Sequence, residues 1–404
     1  MNGKLKIKSL RQLYFCFAML VTMLVTSACM FLEDNLAEIG VGKKYIYTFI
    51  GWMVWILPSL WICVDCCFRH NRCTQYVEGR TSIRWFFAYA LTTSLMMLIN
   101  VRTNLAGVLV DLSLVLYPLC VLLGVYGYAK LVGHKKHIDV LVLLLLVVCA
   151  LSFLKLYSLV NVGGAQGHYG VISYIIYLLP VVLINKYKWV RILGGGVILF
   201  LVVASIKRQA FLSFSFALIT YFFVNQYIKG GIKLKTIFIF IISILVVCVL
   251  LLFTVSYLDV DIFERFANIG NDGGSGRVEI WNSIFDHLYK QDIFSWLVGS
   301  GTNYTYFISG YTPAHNDFLE IIVDYGLFSL LLYIGFFLSL LHAAIKMTKQ
   351  RSKYAPAMWA QYAIFVVYAM TSIMTVWQTY NIMMLNFGLL IGLNAHEKCN
   401  FLDE

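Results

Sequence analysis

The chain has 404 residues, of which 60% are hydrophobic, 16% aromatic and only 13% charged, with a formal net charge of +11. A soluble domain averages about 25% charged residues, so this composition excludes a soluble globular enzyme and a disordered protein. Runs of about 20 apolar residues also exclude an outer-membrane barrel, whose strands are short and alternating, and they predict an all-α polytopic membrane protein.

We predict about twelve transmembrane helices within one integral membrane domain, residues 1–404. In chain order the predicted spans are 13–32, 45–64, 85–100, 105–132, 139–160, 169–185, 190–204, 209–228, 236–256, 318–345, 357–375 and 381–395. Most connections are short, as in one compact bundle. The exception is the mostly polar segment 257–317, which we predict to be a large loop containing an amphipathic helix.

The distribution of basic residues predicts the orientation. With the N-terminus in the cytoplasm, the cytoplasmic segments hold 22 of the 31 Lys and Arg residues and the outer segments hold 8. Cytoplasmic loops are enriched in Lys and Arg, so both termini are predicted in the cytoplasm and loop 257–317 on the outer face, the periplasmic face in a bacterium. Because the basic residues cluster between apolar runs, the net charge indicates membrane topology and not nucleic-acid binding.

A pair of fusions tests this topology. We expect a reporter fused near Asn282 to lie outside and one fused near Gln350 to lie inside, because a single predicted span separates the two positions. Activity of a periplasm-specific reporter at each fusion measures this. Two fusions on the same side of the membrane would contradict the predicted topology.

Adjacent cations mark one outer turn. Lys207 and Arg208 lie between the predicted spans 190–204 and 209–228, with almost no loop. Outer connections are depleted in basic residues, so two cations at a tight outer turn indicate an anionic partner. A simple hairpin tip is the alternative.

A glycine-rich stretch and a helical pattern stand together in the large loop. Residues 270–276 are rich in Gly and are followed by Arg277. Apolar residues then recur at i, i+3, i+4 and i+7, the pattern of an amphipathic helix: Trp281, Ile284, Phe285 and Leu288. Free backbone N–H groups at its start could hold a phosphate, and a bound anion would offset the unfavourable position of Arg277 in the first turn. A flexible connector is the alternative.

The end of the large loop holds a histidine and three acids. Asp317 and Glu320 have the spacing of a capping box that opens the next membrane helix, so His315 is predicted just outside that helix. A lone histidine is more often structural, but this side chain suits proton transfer near neutral pH and lies near two candidate anion sites. Asp317, Glu320 and Asp324 share one helical face, and carboxylates entering a membrane are candidates for function. Their alternative is pairing with outer arginines.

A cysteine-rich stretch has the spacing of a weak metal motif. Its members are Cys63, Cys66, Cys67, His70 and Cys73. Zinc sites of this class combine two such pairs, whereas only one CxxC is present here, at a membrane edge. We therefore predict reduced cytoplasmic thiols, no metal and no cofactor.

The segment Trp296–Tyr333 resembles the signature region of the O-antigen polymerase and O-antigen ligase superfamily. The matching positions are Gly299, Gly301, His315, Asn316, Glu320 and Gly326. The Arg208 turn and the Arg277–Trp281 helix are similar to the two outer-face arginine sites of that family. One position departs from the pattern: Ser329 stands where ligases usually have Gly, Thr or Tyr.

This resemblance implies a GT-C-type fold and a metal-independent, inverting glycosyl transfer. The implied protein is an O-antigen polymerase of the bacterial inner membrane, which joins undecaprenyl-diphosphate-linked repeat units on the periplasmic face for lipopolysaccharide. Arg208 and Arg277 would bind the diphosphate, and His315 would take the acceptor proton or orient the acceptor. The implied substrate-binding residues are Lys207, Asn316, Glu320, Asp324 and Trp281.

Partners and alternatives follow from the same resemblance. The candidate partners are membrane lipids, a chain-length regulator and a flippase. The alternatives are an O-antigen ligase that transfers polymer to the lipid A core, a lipid-linked oligosaccharide transporter or flippase, and an assembly scaffold. Loop 257–317 carries eight acidic and three basic residues, a net charge of −5. This charge favours a sugar-hydroxyl acceptor over a phosphorylated core, and therefore a polymerase.

Overall fold

The computed structural model of the protein describes residues 80–100, 105–134, 136–163, 168–205, 207–231, 276–310, 312–372 and 380–403, and shorter pieces at 14, 17, 18, 21, 50, 51, 53–60, 238 and 374. The predicted spans 13–32, 45–64 and 236–256, the cysteine-rich stretch and residues 257–275 of the large loop lie mostly or wholly outside the described residues. The predictions made for them are therefore not tested.

All regular structure in the described residues is helical. The helices are α1 (Arg80–Ile99), α2 (Leu105–Val132), α3 (Lys136–Gly163), a 3₁₀ helix (His168–Leu178), α4 (Leu179–Leu183), α5 (Lys188–Ala204), α6 (Arg208–Ile228), α7 (Arg277–Lys290), α8 (Ile293–Val298), α9 (Tyr304–Ile308), α10 (Asp317–Lys349), α11 (Ala355–Thr371) and α12 (Tyr380–Asp403).

The described residues include four helices that are long and apolar enough to cross a membrane: Thr81–Ile99, Asp111–Val132, Arg208–Ile228 and Asp317–Lys349. An all-helical membrane protein is therefore supported. Nine of the twelve predicted spans coincide with helical segments of the described chain. The total of twelve spans and the GT-C type remain predictions.

The predicted span 169–185 is not one α-helix. His168–Leu178 forms a 3₁₀ helix, and only Leu179–Leu183 is α-helical. Residues 175–179 are buried within the helical bundle. The apolar run predicted a membrane span here, but hydrophobicity alone does not distinguish a 3₁₀ helix from an α-helix.

Helix α10 is broken at Gly326, where φ is 79° and ψ is 178°. In a straight helix Asp317 and Tyr333 would lie about 24 Å apart, yet the Tyr333 hydroxyl donates to Asp317 Oδ2 at 2.9 Å. The chain therefore reverses at Gly326. Within the candidate span Asp317–Lys349, residues 317–325 therefore fold back toward Tyr333. The uninterrupted helix that is long enough to cross a membrane is residues 327–349, about 34 Å long. The predicted continuous span 318–345 is wrong on this point.

Contacts between loops agree with the division into outer and cytoplasmic loops that the Lys and Arg residues predict. At the predicted outer end, Asn100 Nδ2 donates to the carbonyl oxygens of Val298 and Gly299, each at 3.2 Å. At the predicted cytoplasmic end, Lys353 Nζ lies 2.8 Å from Glu397 Oε1. The grouping of the loops is reproduced, and the side of the membrane that each group faces stays a prediction.

An aromatic core holds α10 in the bundle. Phe336 of α10 lies 4.6 Å from Phe86 of α1 and 6.1 Å from Phe365 of α11, between ring centroids. Phe365 in turn lies 5.5 Å from Phe387 of α12. These rings are fully buried or nearly so. Because Tyr333 extends the same core and bonds to Asp317, the core fixes the start of α10 and the residues just before it.

Candidate functional site

Three segments at the predicted outer end of the bundle converge on His315. Lys207 is the N-cap residue of α6, Arg277 is the first residue of α7, and the positive charges of both act on the His315 imidazole. Arg208 follows Lys207 as the first residue of α6 and is half-buried. The structure thus brings together the cationic turn, the start of the amphipathic helix and the histidine, which are far apart in the sequence.

The amphipathic helix predicted from Trp281, Ile284, Phe285 and Leu288 is α7. It begins at Arg277 after Gly276, whose φ of 76° is the left-handed conformation that suits glycine at a helix boundary. Ile284 and Leu288 are buried. Phe285 is not: 53% of its surface is exposed, so its side chain lies outside the buried stripe.

His315 is held in an uncommon backbone conformation, with φ of 51°. Burial, followed by the positive charges of Arg277 and Lys207, lowers the pKa of His315 from 6.5 to about 4. A lowered pKa means that the imidazole is neutral at pH 7, because protonation requires a pH near or below that value. A neutral imidazole has a free lone pair with which His315 can accept a hydrogen bond. An anion bound at Arg277 and Lys207 would offset the charges that lower the pKa of His315 and so strengthen it as a proton acceptor.

Two predicted site residues hold the backbone next to His315. Trp281 Nε1 donates to the carbonyl oxygen of Ala314 at 2.8 Å, and the backbone N–H of Ala314 donates to Glu320 Oε2 at 3.0 Å. The indole N–H of Trp281 and the Oε2 atom of Glu320 therefore both bond to the backbone of Ala314 and do not face open solvent. Ala314 itself is fully buried.

The acids Glu320 and Asp324 face inward from the outer segment of α10. Thr305 Oγ1 donates to Glu320 Oε1 at 2.6 Å. Asp324 accepts the backbone N–H groups of Asn303 at 2.8 Å and of Thr305 at 3.1 Å. Both carboxyl groups are fully buried, so these hydrogen bonds order the segment around α9.

The cap of α10 differs from the predicted one. Asn316, not Asp317, is the N-cap residue: its Oδ1 accepts the backbone N–H groups of Phe318 at 3.0 Å and Leu319 at 3.2 Å. Asp317 is buried, and its second oxygen accepts the backbone N–H of Met374 at 2.8 Å. The capping-box prediction was therefore wrong by one residue, because Asp317 is drawn into the bundle by Tyr333 and Met374.

Two glycines of the predicted signature allow a close backbone crossing. Gly299 (φ 86°, ψ 176°) and Gly326 both occupy a region essentially restricted to glycine. A Cβ on Gly299 would lie 2.4 Å from the carbonyl oxygen of Asp324, and one on Gly326 would lie 2.3 Å from that of Leu297. Gly301 N–H donates to the Asp324 carbonyl at 3.0 Å. The spacing of these glycines thus reflects the packing of the α8–α9 connection onto the break in α10.

Some residues of the site were missed by sequence reasoning. Thr305 bridges Glu320 and Asp324, and Thr302 lies beside the side chain of Asp111 from α2. Asp111 lies within the predicted span 105–132. A threonine has no distinctive sequence signal, and its role depends on which acids the fold brings to it.

An open, mainly apolar groove lies beside the site. It has a volume of about 570 Å³ and runs between α7 and the outer segment of α10. Its lining residues are Phe285, Leu288, Tyr289, Gln291, Trp296, Phe318, Leu319, Ile322 and Leu330. Phe318 and Leu319 directly follow the loop of His315, so an apolar chain in this groove would be near the cationic cluster.

The arrangement combines functions that suit reaction of an anionic, partly apolar substrate. Cations from two helix starts can bind an anion, and the neutral His315, on which both charges act, can accept a hydrogen bond or a proton. Within the described part of the chain, no three His, Cys, Asp or Glu side chains are grouped as a metal site would require.

Comparison with known proteins adds one match. Residues 193–334 match the family model described as O-antigen ligase. This segment begins in α5, ends in α10 and contains every site residue predicted from the sequence. No curated protein matches the chain.

Proposed function

We propose, from the match of residues 193–334 to the family model described as O-antigen ligase, that the protein belongs to the O-antigen polymerase and ligase superfamily and is an O-antigen polymerase. It would be an inverting glycosyltransferase that joins undecaprenyl-diphosphate-linked repeat units on the periplasmic face of the inner membrane. The observation that carries this proposal is the neutral His315 beside Arg277 and Lys207 at the outer end of the bundle.

The proposed chemistry uses each of these groups. A sugar hydroxyl of the acceptor attacks the anomeric carbon of the donor, its proton passes to the imidazole of His315, and the bond from that carbon to the lipid diphosphate breaks. Arg208 and Arg277 stabilise the negative charge that develops on the leaving diphosphate, since guanidinium groups bind phosphate oxygens in pairs. Lys207 adds a third cation at the same turn.

The groove supports a lipid-linked substrate. A diphosphate bound at the cationic cluster would carry its isoprenoid chain past the first turn of α10, where the groove is lined by Phe318 and Leu319. Apolar lining favours a hydrocarbon chain because burial of apolar surface is favourable. A transporter is less well supported, since transporter sites usually lie near the bilayer midplane, whereas this cluster lies at one end of the helices.

An O-antigen ligase is the second candidate, favoured by the description of the matching family model. A ligase transfers finished polymer to the lipid A core, which is rich in phosphate. The net charge of −5 on residues 257–317 favours a sugar-hydroxyl acceptor over such a core, and Ser329 departs from the usual ligase pattern. These two features are the reasons for proposing a polymerase.

Replacement of the two arginines by lysine tests the proposal. Arg208→Lys and Arg277→Lys keep the charge but lose the paired hydrogen bonds to phosphate, so we expect each to lower the transfer rate on the order of 10²-fold or more. Purified variants with radiolabelled lipid-linked repeat units measure this. Arg191→Lys, on α5 at the predicted cytoplasmic end, is the matched control and should retain the wild-type rate. Full activity of both outer variants at normal protein levels rules out a diphosphate site there.

The lowered pKa of His315 predicts an unusual pH dependence. A base with a pKa of about 4 stays unprotonated down to mildly acidic pH, so we expect kcat/KM to be nearly unchanged between pH 7 and pH 5.5. Lys207→Gln removes a cation that opposes protonation, so the pKa of His315 should rise and the acid limb should move to higher pH. Lys207→Arg, which keeps the charge, is the control. A wild-type acid limb near the ordinary pKa of 6.5 would contradict this assignment.

A further inference from the structure

The two peptide groups that flank Ala314 are both fixed by side chains. The peptide before Ala314 donates its N–H to Glu320 from α10, and the peptide after it accepts from the Trp281 indole of α7. That second peptide joins Ala314 to His315. The rotation of this peptide about the N–Cα bond of His315 is the φ angle of His315, which is 51°.

A histidine in this conformation needs support. The left-handed region is strained for a non-glycine residue, so the loop would relax without contacts that hold it. Resting on the proposed role of His315 as proton acceptor, we propose that Trp281 and Glu320 are positioning residues, which hold His315 in its left-handed conformation through the peptide groups on either side of Ala314.

The hydrogen bonds distinguish this role from direct contact with substrate. Both oxygens of Glu320 already accept hydrogen bonds, from Ala314 and from Thr305, and the side chain is fully buried. The single N–H of Trp281 is likewise used by Ala314. Glu320 is itself anchored, because Thr305 is held by Asp324 at 3.1 Å through its backbone N–H. The support of His315 thus extends from α7 through the loop to α9 and α10.

Two conservative variants separate the hydrogen bonds from packing and charge. Trp281→Phe removes the indole N–H and keeps most of the ring. Glu320→Gln keeps a side-chain oxygen that can accept the Ala314 N–H, and its NH₂ group then faces Thr305 Oγ1. The Thr305 hydroxyl can accept a hydrogen bond from that NH₂ group and donate its own hydrogen to Asp324 Oδ1, which lies 3.4 Å away. We therefore expect Glu320→Gln to retain most activity, and Glu320→Ala and Trp281→Phe to lose about tenfold to a hundredfold in kcat with little change in KM.

Two control variants remove similar interactions elsewhere. Trp359→Phe deletes an indole hydrogen bond to Thr348 Oγ1 of 2.9 Å at the predicted cytoplasmic end. Asp292→Ala deletes the side-chain cap of α8, a bond of 2.9 Å to the Ser295 N–H on the outer side. Both should lower the melting temperature slightly and leave kcat unchanged. Loss of kcat in the controls equal to that in Trp281→Phe would show general loosening and overturn the proposal.

A double-mutant cycle with His315→Ala is the decisive experiment. If Trp281 acts through His315, Trp281→Phe should cause no further loss of kcat in the His315→Ala background, because the group that it positions is absent. A further tenfold loss in that background overturns the proposal, as does equal inactivity of Glu320→Gln and Glu320→Ala, which would indicate that the carboxylate charge is needed. Full activity of His315→Ala would instead contradict the proposed function itself.

Discussion

His315→Ala should leave the lipopolysaccharide core with at most one repeat unit in cells whose other assembly proteins are intact. Removal of a positioned proton acceptor costs about 10²–10⁴ in rate, enough to stop polymerisation, while a separate ligase still attaches unpolymerised repeats. Gel profiles of lipopolysaccharide from cells that express the variant at the wild-type level measure this. Full-length polymer stranded on undecaprenyl diphosphate, with bare core beside it, would identify the protein as the ligase.

His287 provides the matched control for this experiment. It is another histidine of the large loop, on α7, where its Nε2 lies 2.7 Å from Gln291 Nε2 and its ring centroid lies 5.2 Å from that of Tyr304. His287→Ala should keep the wild-type ladder of polymer lengths. Equal loss of polymer in both variants would remove the special role given to His315.

Gly326→Ala should strongly destabilise the protein. The new Cβ would lie 2.3 Å from the carbonyl oxygen of Leu297 and would require a backbone region essentially restricted to glycine. Strain and overpacking together cost on the order of 3 kcal/mol or more. The melting temperature of the purified protein and its amount in the membrane measure the effect.

Gly310→Ala separates the effect of steric overlap at the backbone crossing from the effect of a positive φ angle. Gly310 also has a positive φ, of 73°, but nothing lies within 4 Å of its Cβ position. Its substitution should cost only the conformational strain, about 1 kcal/mol. Equal melting temperatures for Gly326→Ala and Gly310→Ala would mean that the crossing of Leu297 and Gly326 does not stabilise the outer region.

The sequence predicted the local elements of the site well. The start of α7 at Arg277 and the turn at Lys207 and Arg208 follow from a glycine, a helical apolar repeat and a charge at a loop, all of which are local signals. Placement of these segments on one outer face required only the topology derived from Lys and Arg. For this reason the sequence alone predicts that Lys207, Arg277 and His315 lie at the same end of the helical bundle.

Long-range packing determines what the sequence did not predict. Only Glu320 and Asp324 interrupt the apolar residues between Phe318 and Gly326, and both fit one face of a continuous helix, so the reversal of α10 has no signal except one glycine among many. Asn316 and Asp317 are both good cap residues, and the contacts of Asp317 with Tyr333 and Met374 decide between them. The common face of Glu320 and Asp324 was predicted from spacing, but their partner Thr305 comes from another helix.

The most direct test of the central claim is a reaction of the purified protein with a radiolabelled undecaprenyl-diphosphate-linked repeat unit alone. A polymerase uses this molecule as both donor and acceptor, so the proposed function predicts lipid-linked products of two, three and more repeats without any lipid A core. Transfer of label only after lipid A core is added would contradict a polymerase and indicate a ligase, and label that stays in single repeats under both conditions would contradict glycosyl transfer.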